Sequence, residues 1–162
     1  METDPGRNSE DRYPIRMGIN SVERIFKKYE VDLPVYEGNV QLGDLEQAQV
    51  AYTLKGDIYR RGDFFIALKD ERMLPLWDKG DLVLLKYEDQ GELIVGDRYY
   101  LLLGDGREII GGLTKLADLI VITPENPQYG RLELKRSEVL KIYKVMEGLK
   151  REEAIREREK NM

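Results

Sequence analysis

Three serines (Ser9, Ser21 and Ser137), scattered lysines and a surplus of carboxylates carry the reactive groups of a 162-residue chain that has no histidine and no cysteine. Those two absences exclude a Ser-His-Asp triad, a thiol nucleophile, a disulfide framework and a cysteine-based metal or iron–sulfur site. A serine hydroxyl must then rely on lysine as its base, and lysine serves at neutral pH only where burial lowers its pKa. No serine has such a partner at a defensible spacing. Ser9 lies in a polar arm, Ser21 opens a helical pattern and Ser137 opens a late strand. Thr114 and Lys115 are adjacent, which on a strand sends them to opposite faces. Lys69 and Lys115 read as solvated lysines at strand ends or turns. Asp44, Glu46, Asp57 and Asp63 lack the spacing of a calcium loop, so neither a metal nor a cofactor is expected. Gly104-Asp105-Gly106 joins two strand-like runs and lacks the helix N-terminus that makes a glycine-rich loop hold phosphate. Arg60-Arg61-Gly62-Asp63 contains an adhesion-type tripeptide but reads as the turn entering an apolar run.

Any site must be positioned by a small set of elements. Residues 1–14 are nearly devoid of apolar side chains and predict a flexible arm. Residues 15–30 place Val22, Ile25, Phe26 and Tyr29 on one helical stripe, with Asn20 as cap, and predict one short amphipathic helix. From 31 to 149 the pattern changes to short apolar or alternating runs: VDLPVY, QVAYTL, FFIALK, LVLLKY, RYYLLL, EIIGG, LIVIT, RLELK and EVLKIYKVM. Gly-Asp pairs punctuate them, which predicts a mostly β domain. RYYLLLGDGREII is its clearest hairpin. Residues 150–162 are charged, and pairs such as Glu147 with Arg151 and Glu152 with Arg156 predict a solvated, frayed helical tail. The 26 basic residues against 31 acidic ones give a net charge of -5, which argues against a general phosphate-backbone binder. No apolar run reaches the length of a membrane span and the first residues are unlike a secretory leader, so a cytoplasmic location without membrane contact is expected.

LPVYEGNVQLGD, FFIALKDERMLPLWDKGDLVLL, GDRYYLLLGDGREIIGGL, ITPENPQYGRLEL and EVLKIYKVMEGL follow one another in an order that resembles the C-terminal domain of LexA-type and phage repressors. That group of self-cleaving serine peptidases shares a β-rich core of the β-clip type with signal peptidases. The resemblance spans about Leu33 to Leu149. It places Arg72, just before Met73, where active members carry the nucleophilic serine. It places Gly111, or a neighbour, where they carry the base lysine, and Leu42-Gly43 where they carry the small residue and Gly of the cleaved bond. Arginine offers no nucleophilic oxygen and glycine offers no side chain, so the resemblance implies a peptidase fold without its Ser-Lys dyad.

What survives loss of the dyad is peptide capture and dimerisation, which depend on strand edges and apolar pockets. Met73, Leu74, Pro75 and Trp77 are the candidate groove residues, being of the types that anchor interfaces. Val139, Ile142 and Val145, on a strand acting with RLELK, are the candidate dimer surface. The expected role is a dimerisation and regulatory-interaction module of a bacterial or phage transcription regulator, within the SOS-type group. Its partner would be a second copy or a related repressor chain. DNA would be reached only through a missing or partner DNA-binding domain. Two alternatives remain: an active self-cleaving peptidase with a displaced dyad, or a β-barrel nucleic-acid binder using the tyrosines and Trp77 as stacking platforms.

Overall fold

The computed structural model describes residues 31–38, 40–56 and 61–160. The expected arm at 1–14 and helix at 15–30 lie outside the described residues, as do Asp57 and Arg60. All nine expected strand runs form strands: β1 (Val31–Tyr36), β2 (Tyr52–Gly56), β3 (Phe64–Ala67), β4 (Leu82–Tyr87), β5 (Arg98–Leu103), β6 (Glu108–Leu116), β7 (Ile120–Thr123), β8 (Leu132–Leu134) and β9 (Val139–Leu149). They join in one sheet of order β2-β1-β3-β4-β9-β5-β6-β7-β8. β1 and β3 run parallel, and every other neighbouring pair is antiparallel.

Alternation of side chains divides the apolar residues between the two faces of the sheet. Phe64, Ile66, Val83, Leu85, Tyr100, Leu102, Ile110 and Tyr143 point to one face, where they pack with Leu42 and Met73. On the opposite face β5, β6 and β7 contribute Tyr99, Leu101, Ile109, Leu113 and Ile122, while β1, β3 and β4 contribute Val35, Phe65 and Leu84 to a separate cluster. The β5–β6 hairpin turns through Gly106, whose φ of 94° suits a residue without Cβ.

Two expectations change. The charged tail is a helix, α1 (Arg151–Lys160), but it is docked: Ala154 is buried in the β1–β4 cluster and the Arg158 guanidinium lies 4.7 Å from the centre of the Tyr52 ring. Glu147 still belongs to β9, so its spacing to Arg151 is not helical. The buried Asp81 carboxylate anchors the start of α1, accepting the backbone N–H of Arg151 at 2.8 Å and that of Asp78 at 2.7 Å. Lys150 Nζ donates to the Leu76 carbonyl at 2.8 Å, which ties the same junction to the turn before β4.

β9 carries the residues expected at a dimer surface. It pairs with β4 through residues 143–149 on one side and with β5 through residues 139–144 on the other, so each of its edges is covered along only part of its length. Ile142 is buried, and Val139 and Val145 pack partly buried against the two cores of a single chain. Of the expected pair, only RLELK (β8) stands at the margin of the sheet.

Candidate functional site

The turn between β3 and β4 carries Lys69, Asp70, Arg72, Met73 and Trp77, and its own backbone shapes it. Leu74 N–H reaches the Glu71 carbonyl, Trp77 N–H the Met73 carbonyl and Gly80 N–H the Leu68 carbonyl. Asp70 Oδ1 caps it by accepting the Arg72 N–H at 3.0 Å. From across the sheet Asn126 clamps it, donating its side-chain amide to the Glu71 carbonyl and its backbone N–H to the Arg72 carbonyl, each at 2.9 Å.

Beneath this turn lies a polar hub that the sequence reading missed. Glu108, at the start of β6, has a side chain only 6% exposed. Its Oε1 accepts Lys69 Nζ at 2.7 Å and the Tyr100 hydroxyl at 2.8 Å, and its Oε2 accepts the Leu42 backbone N–H at 3.0 Å. Burial first, and the Glu108 charge second, raise the Tyr100 phenol far above its ordinary 10.0, so it remains a donor. A buried carboxylate is tolerated when its lone pairs are occupied and a cation stands opposite, and both conditions hold. Lys69 is thus no idle strand-end lysine, since its ammonium is held by Glu108. The signal available in the sequence was a carboxylate at an inward position of an otherwise apolar strand.

Leu42 and Gly43, the pair at the cleavage-like position, sit in 3-10 turns spanning Leu42–Gln47. The Leu42 side chain is fully buried against the same core as Met73 and Ile110. Glu108 therefore fastens this segment by its backbone while the core holds it by its side chain. Met73 is also fully buried and is a core residue rather than a groove wall. Leu74 and Trp77 are half-buried and Pro75 is exposed. The Trp77 ring fills the space over Gly148, where a Cβ would fall 2.1 Å from the ring, and Arg98 stacks above it at 5.7 Å.

The two positions that the resemblance assigns to the dyad do not share a face. Arg72 stands beside Tyr100 on the side of Met73 and Leu42, and its charge opposes the rise of the Tyr100 phenol. Gly111 pairs with Tyr99, whose ring belongs to the opposite core. A Cβ on Gly111 would lie 2.8 Å from both the Thr123 carbonyl oxygen and Ile122 Cγ2. The residues of β6 on the face of the turn are Glu108, Ile110 and, by alternation, Gly112. Gly62-Asp63 leads into β3 and is fastened to β4, with Asp63 N–H bonded to the Leu85 carbonyl and Asp63 Oδ2 accepting the Tyr87 N–H. Among the described residues, no cluster of carboxylates could hold a metal ion and no helix is long and apolar enough to cross a membrane.

The family model described as Peptidase S24-like matches residues 34–146, a span that contains the turn, the hub and all of β1–β8 apart from the first residues of β1. No curated protein matches the chain.

Proposed function

The chain belongs to the Peptidase S24-like family, and from that premise we propose that it is a catalytically silent member whose cleft holds a peptide segment without cutting it. What supports this reading is that Arg72 stands at the turn beside Tyr100 of the Glu108 hub, and that the other β6 residues on the face of the turn, Ile110 and Gly112, carry no amine. The ammonium that reaches the hub, Lys69 Nζ, is bound to Glu108 at 2.7 Å and is a donor there, not a base. The Leu42 segment occupies the cleft through an N–H bond and a buried side chain, which is the geometry of capture. The role we assign is a dimerisation and regulatory-interaction module of a bacterial or phage transcription regulator, acting in the cytoplasm. Self-association uses the β8 margin, where an edge strand can add to a second copy, together with the stretches of β9 that β4 and β5 leave uncovered.

The decisive experiment is intact mass of the purified chain after prolonged incubation at neutral and alkaline pH, beside the Arg72→Ser, Ile110→Lys double variant. The native chain stays whole. Scission between Leu42 and Gly43 in the native chain overturns the reading and restores an active peptidase. Sedimentation tests the second half, with a species of twice the chain mass expected and a monomer at high concentration contradicting it.

A further inference from the structure

Arg72 Nε is the one fully buried side-chain nitrogen or oxygen among the described residues that has no hydrogen-bond partner. The Arg72 side chain is 20% exposed, so the outer edge of the guanidinium reaches solvent while Nε does not. The Asp70 carboxylate is the nearest anion, but Oδ2 stands 3.8 Å from Nη2, beyond hydrogen-bond length, and Oδ1 is taken by the Arg72 backbone N–H. The guanidinium lies 5.2 Å from the centre of the Tyr129 ring, at stacking distance. Asn126 sets this arrangement, binding the Glu71 and Arg72 carbonyls from the loop that carries Tyr129 while its Oδ1 accepts the Gln128 N–H. The fork is therefore positioned by contacts that use its backbone and leave its own donors unspent.

A buried donor without an acceptor loses its hydration and gains nothing in return, and such groups are rare in folded proteins. A planar guanidinium held against an aromatic ring is completed by a planar acceptor, and carboxylate is the group whose two oxygens match the fork. We propose that Arg72 and Tyr129 form a recognition site for an acidic side chain carried on an extended peptide. This rests on the reading of the cleft as one that holds peptide without cutting it. Asp70 shapes the site as a competitor, since its charge lowers the affinity for an incoming carboxylate without satisfying the arginine.

The test is side-chain N–H NMR of the full chain, following the Arg72 Nε resonance during titration with acetyl-Leu-Glu-Leu-amide. Acetyl-Leu-Gln-Leu-amide and inorganic phosphate serve as controls. The glutamate peptide shifts the resonance with saturation and the controls do not. Asp70→Asn, which keeps the acceptor for the Arg72 N–H, tightens binding several-fold, and Arg72→Lys weakens it about tenfold through loss of the planar fork. No shift with the glutamate peptide, an equal shift with the glutamine peptide or phosphate, an unchanged affinity in Arg72→Lys, or weaker binding in Asp70→Asn each overturns the proposal. Self-cleavage would sink the silent reading by a change in mass, whereas failure of this site leaves the mass unchanged and the resonance still.

Discussion

β6 serves two regions of the molecule with alternate side chains, and the regions solve opposite problems. Toward the turn, Glu108 and Ile110 build a hub in which a buried carboxylate and a buried phenol are satisfied, with a partly exposed ammonium closing it. Toward β7, Ile109 and Leu113 build a dry core, and Gly111 lets the Thr123 backbone approach more closely than any side chain would permit. The first region seats polar groups within a closed core. The second has no spare volume, and a residue added there disturbs the fold before it can act.

The comparison is broken most forcefully at Leu42. Leu42→Ala empties a fully enclosed position, and a loss of about 3 kcal/mol is expected from urea denaturation. A loss below about 1 kcal/mol would mean that the cleavage-like segment is a loose cover, not part of the core. Gly111→Ala is next, costing about 2 kcal/mol because the clash is with backbone and cannot be relieved by a rotamer change. A neutral outcome there would remove the distinction between the two faces.

The smallest effect sharpens the contrast through pH. The folded-state pKa of Tyr100 is raised by burial and by Glu108. Its contribution to stability is complete below the unfolded value near 10 and declines as pH rises beyond it, because only the unfolded chain then loses the proton. Stability measured at about pH 9 and about pH 11 should fall in the native chain, and fall less in Tyr100→Phe. Some slope remains in the variant, since burial also raises the phenols of Tyr52 and Tyr143. An identical slope in both proteins would place the Tyr100 hydroxyl outside the hub.

Much of the fold was legible because strand signals are local. The alternating runs at VDLPVY, LVLLKY and RYYLLL coincide with β1, β4 and β5, and the Gly-Asp-Gly loop gave the β5–β6 hairpin. Whether a strand is an edge or an interior strand was not legible. β9 looks like an edge strand in sequence, yet β4 and β5, which come from far earlier in the chain, flank it on its two sides, each along part of its length. Counting along an aligned motif pointed to Gly111 or a neighbour, and the pleat puts the neighbours Ile110 and Gly112, rather than Gly111, on the face of the turn. The hub was invisible for a related reason: Glu108 meets Leu42 across 66 positions and Lys69 across 39, distances at which spacing carries no information. Arg72 was singled out in sequence only by the motif around it, and its stacking on Tyr129 required the Asn126 clamp to be seen.

Asp81 gives the molecule a mechanical connection between its last helix and its most chemically distinctive turn. One carboxylate is bonded at once to the Asp78 and Arg151 amides, and the neighbouring Lys150 reaches back to Leu76. A force applied along α1 is therefore shared between β9, to which the helix is joined through Lys150, and the segment between Arg72 and β4. A load carried by α1, whether a fused domain or a surface attachment, would be felt at that turn as well as in the sheet.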